Sequence, residues 1–193
     1  MKEKEISTFY PSTRKKWRAW LQKNHVKAQC VWVVCYKQKS SKPTIRWSDA
    51  VEEALCFGWI DSVRKSLDDE KFVQFFSKRK GVSTWSKVNK EKVQQLIDGG
   101  HMTAAGLASI ELAKQNGSWT ILDQVEELII PDDLEQAFKT KKGSKEFFLS
   151  LSKSVRKMIL QWLMFAKREE TRKKRIAEIA MCAGKKLKPQ QFR

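Results

Sequence analysis

The stretch that decides the fold covers residues 54–89 and reads ALCFGWIDSVRKSLDDEKFVQFFSKRKGVSTWSKVN. Two runs of strand-forming residues, 60–65 and 72–77, flank an acidic turn at 67–70, which predicts an antiparallel hairpin. An apolar helical segment precedes the hairpin, and the apolar period becomes helical again after it. The stretch therefore predicts a sheet that packs with helices.

The segments before this stretch add a strand and two helices. CVWVVCYK at 30–37 is apolar at both alternating sets of positions, which is typical of an interior strand covered on each face. We expect this strand to pair with the hairpin. Residues 12–24 predict a capped helix with its tryptophans inward and its basic side chains in water, and 44–47 predict a short strand. A helix ending at Gly58 then leads into the hairpin.

The sequence after the hairpin is helical in its apolar spacing. Helix starts are expected at Thr84 or Ser86, Thr103, Asp132, Ser144 and Ser152, and a last helix ends at Gly184. These signals predict an α+β protein, in which a small antiparallel sheet packed with helices is followed by an all-helical C-terminal part. We expect an α+β core at 8–120, a helical part at 121–184 packed on it, and a basic tail at 185–193, in one compact unit.

Composition favours a folded, strongly basic protein. The chain has 8 Trp and 10 Phe and is 41% hydrophobic, enough for a core built from large rings. Its formal net charge is +17, and more than half of that charge lies in 153–193. An excess of this sign favours acidic partners such as nucleic acid, an anionic surface or an acidic protein, but it also simply keeps a protein soluble.

No segment indicates a membrane, secretory or metal-binding role. No apolar run approaches the roughly 18 residues that cross a bilayer, so we expect no membrane insertion. The N-terminal sequence lacks an apolar signal region, which favours a cytoplasmic location with reduced thiols. The cysteines form no CxxC pair, so we expect no disulfide, metal site or cofactor: Cys30, Cys35, Cys56 and Cys182.

One cluster near the hairpin carries mixed chemistry. It combines two indoles, an acid, two cations and an amide: Trp59, Asp61, Arg79, Lys80, Trp85 and Asn89. In a ligand cleft, Arg79 or Lys80 would meet an anionic group, Asn89 would donate a hydrogen bond and the indoles would form walls. Alternatively, Asp61 and Arg79 form a structural ion pair and both tryptophans belong to the core.

Five motifs together resemble a known family. They are WRAWLQKNH, ALCFGWIDS, SKRKGVSTWSKVN, GGHMTAAG and AKREETRKKRIAEI, and they extend from about residue 9 to residue 183. This combination resembles the YdeI/OmpD-associated, or bacteriocin-protection, family. The resemblance implies a stress or toxin-protection protein without a defined reaction. The aromatic and charged clustering predicts that it acts by binding a small anionic ligand or a partner peptide in the cleft.

The sequence is also compatible with two other functions. The last helix carries Arg172, Lys173, Lys174 and Arg175, which would neutralise phosphates of nucleic acid without reading its sequence. An enzyme would use Asp61 as a general acid or base. No spacing of residues in the chain is typical of a catalytic site, so the sequence favours a function without catalysis. The ligand and the oligomeric state are not predicted.

Overall fold

The chain forms two compact units in the computed structural model, which describes residues 6–193. The first unit ends at Thr120 and contains a sheet with helices, and the second begins at Ile121 and is helical. The predicted α+β class is therefore confirmed. Within the described residues, no helix is both long enough and apolar enough to span a membrane.

The described part of the first unit contains a four-stranded sheet with the order β1-β2-β4-β3. Its strands are β1 (Thr8–Phe9), β2 (Cys30–Tyr36), β3 (Trp59–Ser66) and β4 (Lys71–Lys78). β3 and β4 form the predicted antiparallel hairpin, and β2 pairs antiparallel with β4 as expected. β1 pairs parallel with β2 and was not predicted, because two residues give no periodic signal.

Among the described residues of the first unit, two helices join strands and two more follow the hairpin. They are α1 (Arg14–Asn24), α2 (Trp47–Cys56), α3 (Lys87–Asp98) and α4 (Ala104–Gln115). Thr13, Ser86 and Thr103 cap α1, α3 and α4 through their side chains, as their sequences predict. The strand predicted at 44–47 is wrong. Trp47 instead begins α2, and the Thr44 hydroxyl accepts a hydrogen bond from the backbone N–H of Tyr36.

Helices α1 and α2 cover one face of the sheet. Fully buried side chains of the two helices pack there against fully buried side chains of β2 and β4. The helices contribute Trp17, Leu21, Ala54 and Leu55, and the strands contribute Val31, Val33 and Phe76. The ring centroids of Trp17 and Phe76 are 5.3 Å apart, and the Trp17 indole donates to the carbonyl of Ala50 at 3.0 Å. These contacts fix α1, α2 and the sheet as one core.

The other face of the sheet is only partly covered. Trp32, Val34, Tyr36 and Phe75 point to this face, and each is half-buried. The prediction that β2 is covered on both faces is therefore wrong. The apolar side chains of this face shield one another instead, since the rings of Trp32 and Phe75 pack edge to face with centroids 4.9 Å apart.

A tight junction connects α2 to the hairpin and to α4. Gly58 ends the turn after α2 with φ +71°, a conformation that glycine adopts readily. The hydroxyl and the N–H of Thr103 both donate to the carbonyl of Cys56, at 2.6 Å and 3.1 Å. Gly106 lies directly against the same carbonyl. The start of α4 thus approaches the end of α2 so closely that no side chain fits at position 106.

The second unit is a helical bundle with its own core. Its helices are α5 (Asp123–Glu126), α6 (Asp132–Lys139), α7 (Ser144–Ser150), α8 (Lys153–Met164) and α9 (Glu169–Gly184). Side chains of these helices form a buried cluster: Leu134, Phe138, Phe148, Ile159, Leu163, Ile179 and Ala180. The C-terminal segment 185–193 packs on the bundle, because Phe192 contacts Trp162 edge to face at 5.8 Å between centroids.

Replacing Gly106 by alanine is expected to lower the free energy of unfolding by about 1–3 kcal/mol, because the added Cβ would overlap the Cys56 carbonyl. Denaturant unfolding measures the change. Gly184→Ala is the control, since its Cβ would meet the Lys141 Cβ at 3.3 Å, a contact that a shift of a few tenths of an ångström relieves. A Gly106→Ala variant as stable as the wild type would contradict the close approach of α4 to α2.

Candidate functional site

The two tryptophans of the predicted cleft lie in the core. Trp59 is 0% exposed and Trp85 is 1% exposed. The Trp59 ring packs edge-on against Trp20, and the Trp85 ring packs against Trp119 at 5.0 Å. Neither indole offers a face to a ligand in solution. The predicted wall role of Trp59 and Trp85 is therefore corrected: both rings hold the fold.

Asp61 belongs to a hydrogen-bond network at the edge of the covered sheet face. Its carboxylate accepts from the Trp47 indole at 3.0 Å and from the Gln74 amide at 3.4 Å. Gln74 is buried and in turn accepts from the side chain of Arg64 at 3.3 Å. Asp61 thus fixes the start of α2 to β3 and β4.

Arg79 follows β4 and is held by Trp85. Its guanidinium carbon lies 3.6 Å from the centroid of the Trp85 ring, and Nη2 donates to the Thr84 carbonyl at 2.6 Å. Nε and Nη1 are buried without a hydrogen-bond partner in the part of the chain that the structure describes. Burial lowers the pKa of Arg79 to about 10, and the negative charge of Asp61 opposes this shift.

The structure does not join the six predicted residues into one contact network. Within residues 6–193, Asp61 and Arg79 form no ion pair, so that part of the structural alternative is corrected, whereas its placement of both tryptophans in the core is confirmed. Lys80 is exposed and donates its backbone N–H to Ser83. Asn89 is half-buried in the first turn of α3, where its N–H donates to the Ser86 hydroxyl. Ligand binding by the other four side chains stays a prediction: Asp61, Arg79, Lys80 and Asn89.

A buried glutamate joins two arginines in a charge cluster of the first unit, and the sequence did not indicate it. Glu53 on α2 has a side chain only 5% exposed, and it accepts from Arg14 Nε at 2.6 Å and from Arg18 Nη1 at 2.7 Å. Both arginines were expected to face water. The only signal was the i, i+4 spacing of two arginines on α1 opposite an acid in an apolar helix face. The cluster borders a hollow of about 470 Å³, but Glu53 together with Glu52 and Asp49 already neutralises its arginines.

Glu53→Gln is expected to lower the free energy of unfolding by about 1–3 kcal/mol, because two partly buried arginines lose their shared counter-charge. Thermal or urea unfolding of the purified variant measures the loss. Glu91→Gln, the same change at an exposed position of α3, is the control and should have little effect. Equal stabilities of the two variants would show that Glu53 does not clamp α1 to α2.

The basic residues predicted for nucleic-acid binding on α9 are engaged within the second unit. Arg172 donates to both carboxylate oxygens of Asp133 on α6, at 2.5 Å and 2.9 Å. Arg175 lies over the Trp162 ring and donates to the Trp162 carbonyl. Two exposed residues remain on the helix surface, where each forms the expected i, i+4 pair at 2.7 Å: Lys173 with Glu169, and Lys174 with Glu170. The positive field of α9 is therefore partly neutralised.

An apolar groove lies between α6 and α9. It has a volume of about 530 Å³, and its floor consists of Ala137, Ile176, Ala177, Ala180 and Met181. Polar groups at its rim include Asp133, Thr140, Lys141 and Lys173. No local pattern of residues predicts this groove, because its two walls come from helices that are distant along the chain.

Asp133 stabilises one end of the groove in a pH-dependent manner. The hydrogen bond from Arg172 holds the pKa of Asp133 below its usual range, so its stabilisation is complete above the unfolded-state pKa of about 4 and is lost as the pH falls through the folded-state value. Asp133→Asn should lower the free energy of unfolding near pH 7 by less than about 1 kcal/mol, because the pair is partly exposed, and the melting temperature should fall accordingly.

Melting curves recorded at decreasing pH provide the check on this ion pair. The difference between wild type and Asp133→Asn should shrink towards zero in strong acid. Asp132→Asn keeps the same helix turn but changes an exposed neighbour of that carboxylate, and it is the control. A difference that is independent of pH would show that the Arg172 pair does not stabilise the unit.

Comparisons with known families match the two units separately. Residues 9–109 match the family model described as Domain of unknown function (DUF8412), and this match covers more than half of the chain. Residues 127–185 match the model described as Bacteriocin-protection, YdeI or OmpD-Associated, which confirms the family resemblance over that range. Comparisons with curated proteins and with solved structures gave no match.

Proposed function

The chain belongs to the family described as Domain of unknown function (DUF8412), and we propose that it acts as a protection-type protein by binding a partner peptide rather than by catalysing a reaction. The binding site is the groove between α6 and α9, and the occupant is an acidic, amphipathic helical segment of the partner. The match of 127–185 to a bacteriocin-protection family supports this choice of unit. The burial of Trp59 and Trp85 argues against an aromatic cleft in the first unit.

The apolar floor of the groove is the observation that carries the proposal. Met181 is 48% exposed and Ala177 is also exposed, although both lie beside the buried Ala180. Covering exposed apolar area releases about 25 cal/mol for each Å². The small side chains at 177 and 180 leave room for a large apolar side chain of the partner, which is the geometry of helix-in-groove recognition.

The charges at the rim favour an acidic occupant. Lys141 and Lys173 lie on the rim, and Arg172 already neutralises the Asp133 carboxylate beside them. The contact of Lys173 with Glu169 is a fully exposed pair that water and salt screen, so a carboxylate of the partner can replace it. An apolar floor between lysines thus matches a helix that has leucines on one face and glutamates beside them.

We also propose a cytoplasmic setting. All four cysteines lie in the described part of the chain and are free thiols there. Burial raises the pKa of the Cys35 thiol to about 11, which keeps it protonated and unreactive. Free thiols are typical of a reducing compartment, and this supports the setting.

Fluorescence anisotropy with a designed peptide tests the proposed site. The probe is a fluorescein-labelled peptide with leucines at i, i+3, i+4 and i+7 and glutamates elsewhere. A scrambled peptide of the same composition lacks the apolar face. We expect the patterned peptide to bind more tightly than the scrambled one, and Met181→Asp to weaken its binding roughly tenfold or more.

Met158→Asp is the matched control, because Met158 on α8 is 46% exposed but does not line the groove. It should leave the affinity for the patterned peptide unchanged. Equal binding of the two peptides, or equal effects of the Met181 and Met158 changes, would reject the groove as the site. Saturable binding of citrate or phosphate that survives Met181→Asp, without peptide binding, would instead support a small anionic ligand and reject the peptide.

A further inference from the structure

The partly covered face of the sheet in the first unit presents aromatic rings in a row. We call this surface the aromatic face and define it by Trp32, Val34 and Tyr36 of β2 and Val73 and Phe75 of β4. Val73 is buried by its neighbours, and the other four side chains are half-buried. Among the described residues, none of the five belongs to the buried core that α1 and α2 form with the sheet.

The rings of the aromatic face are arranged along β2. Trp32 meets Phe75 edge-on, and Tyr36 meets Tyr10 edge-on with centroids 5.3 Å apart. Trp32 and Tyr36 are four residues apart, which corresponds to about 13 Å along a strand. In an edge-to-face pair the edge of one ring contacts one face of the other, so each of these contacts covers at most one face of one ring and leaves the remaining faces open to other groups.

Lysine side chains cover the faces of two of these rings. The Lys65 ammonium lies 4.9 Å from the centroid of Trp32, and the Lys42 ammonium lies 5.1 Å from that of Tyr36. Both lysines are exposed, and their flexible stems allow the ammonium groups to move aside. Each ring face is therefore capped by a mobile cation and not by the core.

No acid within the described strands lies on the aromatic face. Asp61 is the only acid within the described strands, and it pairs with Phe76, whose side chain lies on the opposite, covered face. The acidic turn at 68–70 lies at one end of the hairpin, where Asp68 accepts two backbone hydrogen bonds and pairs with Lys71 at 3.5 Å. The aromatic face thus combines ring faces with lysines at its centre.

We propose that the aromatic face binds single-stranded nucleic acid. Bases would stack on Trp32 and Tyr36 in place of the lysine ammonium groups, and Lys65 and Lys42 would then contact the phosphates. Sheet surfaces that bind single strands combine stacking rings with backbone-neutralising cations, and a row of this length holds two or three bases. A duplex hides its base faces, so this surface selects single strands. The site lies in the first unit and does not depend on the peptide groove of the second.

Anisotropy titrations with three labelled oligomers test this site. The probes are an oligothymidylate of about 12 nucleotides, an abasic oligomer of the same length, and the corresponding duplex. Stacking predicts that the full-length protein binds the oligothymidylate most tightly. Trp32→Leu, which keeps an apolar side chain on the sheet, should weaken that binding by roughly fivefold or more, while affinity for the abasic oligomer changes little.

The salt dependence separates the role of Lys65 from general charge. Lys65→Gln should reduce the slope of log affinity against log salt by about 0.7 for the lost phosphate contact. Lys23→Gln, at an exposed position of α1, removes the same charge away from the aromatic face and should leave the slope unchanged. Circular dichroism confirms that each variant is folded.

Three results would overturn the proposal. Equal affinity for the abasic oligomer and the oligothymidylate would show a purely electrostatic contact. An unchanged affinity in a folded Trp32→Leu variant would place the contact elsewhere. Binding of the patterned acidic peptide that Trp32→Leu abolishes, with no binding of oligothymidylate, would make this face a protein interface. Failure of the peptide groove leaves all of these measurements unaffected, so the two proposals are tested separately.

Discussion

One-sided coverage of the sheet is the constraint on which the structure of the first unit depends. Helices α1 and α2 lie on the same face, and the Trp17 indole joins them through its bond to the Ala50 carbonyl. Because the hairpin contributes Phe76 and Trp59 to that core, both rings are fully buried and present no face to a ligand in solution. The rings on the opposite face are left half-buried, and this asymmetry separates structural tryptophans from those that are available for binding.

The same constraint decides the roles of the charged side chains. Arg79 and Glu53 lie at the margins of the core, where each charge needs local compensation because burial disfavours it. Glu53 is satisfied by two arginines of α1, whereas Arg79 stacks on Trp85 and keeps two nitrogens without a partner among residues 6–193. Mixed chemistry in this sequence therefore marks the joints between elements. The exposed cations and apolar groups that contribute less to holding the fold together lie on the aromatic face and in the groove of the second unit.

The sequence predicts those features that depend on neighbouring residues. The hairpin, its pairing with β2, and the caps at Thr13, Ser86 and Thr103 follow from local alternation and hydrogen-bonding side chains. It does not reveal which face of β2 is covered, because CVWVVCYK is apolar on both faces. Likewise, the Glu53 clamp and the groove between α6 and α9 join residues far apart in the chain, and no local period encodes such contacts.

Hydroxyl-radical footprinting with mass spectrometry tests the central claim of one-sided coverage most directly. In the free protein, one-sided coverage of the sheet predicts measurable oxidation of Trp32 and Phe75 and very slow oxidation of Trp59 and Trp85. Added oligothymidylate should protect Trp32 and leave the other indoles unchanged. Rapid oxidation of Trp59 and Trp85 together with a protected Trp32 in the free protein would contradict the account, since it would place the open surface on the opposite side of the sheet.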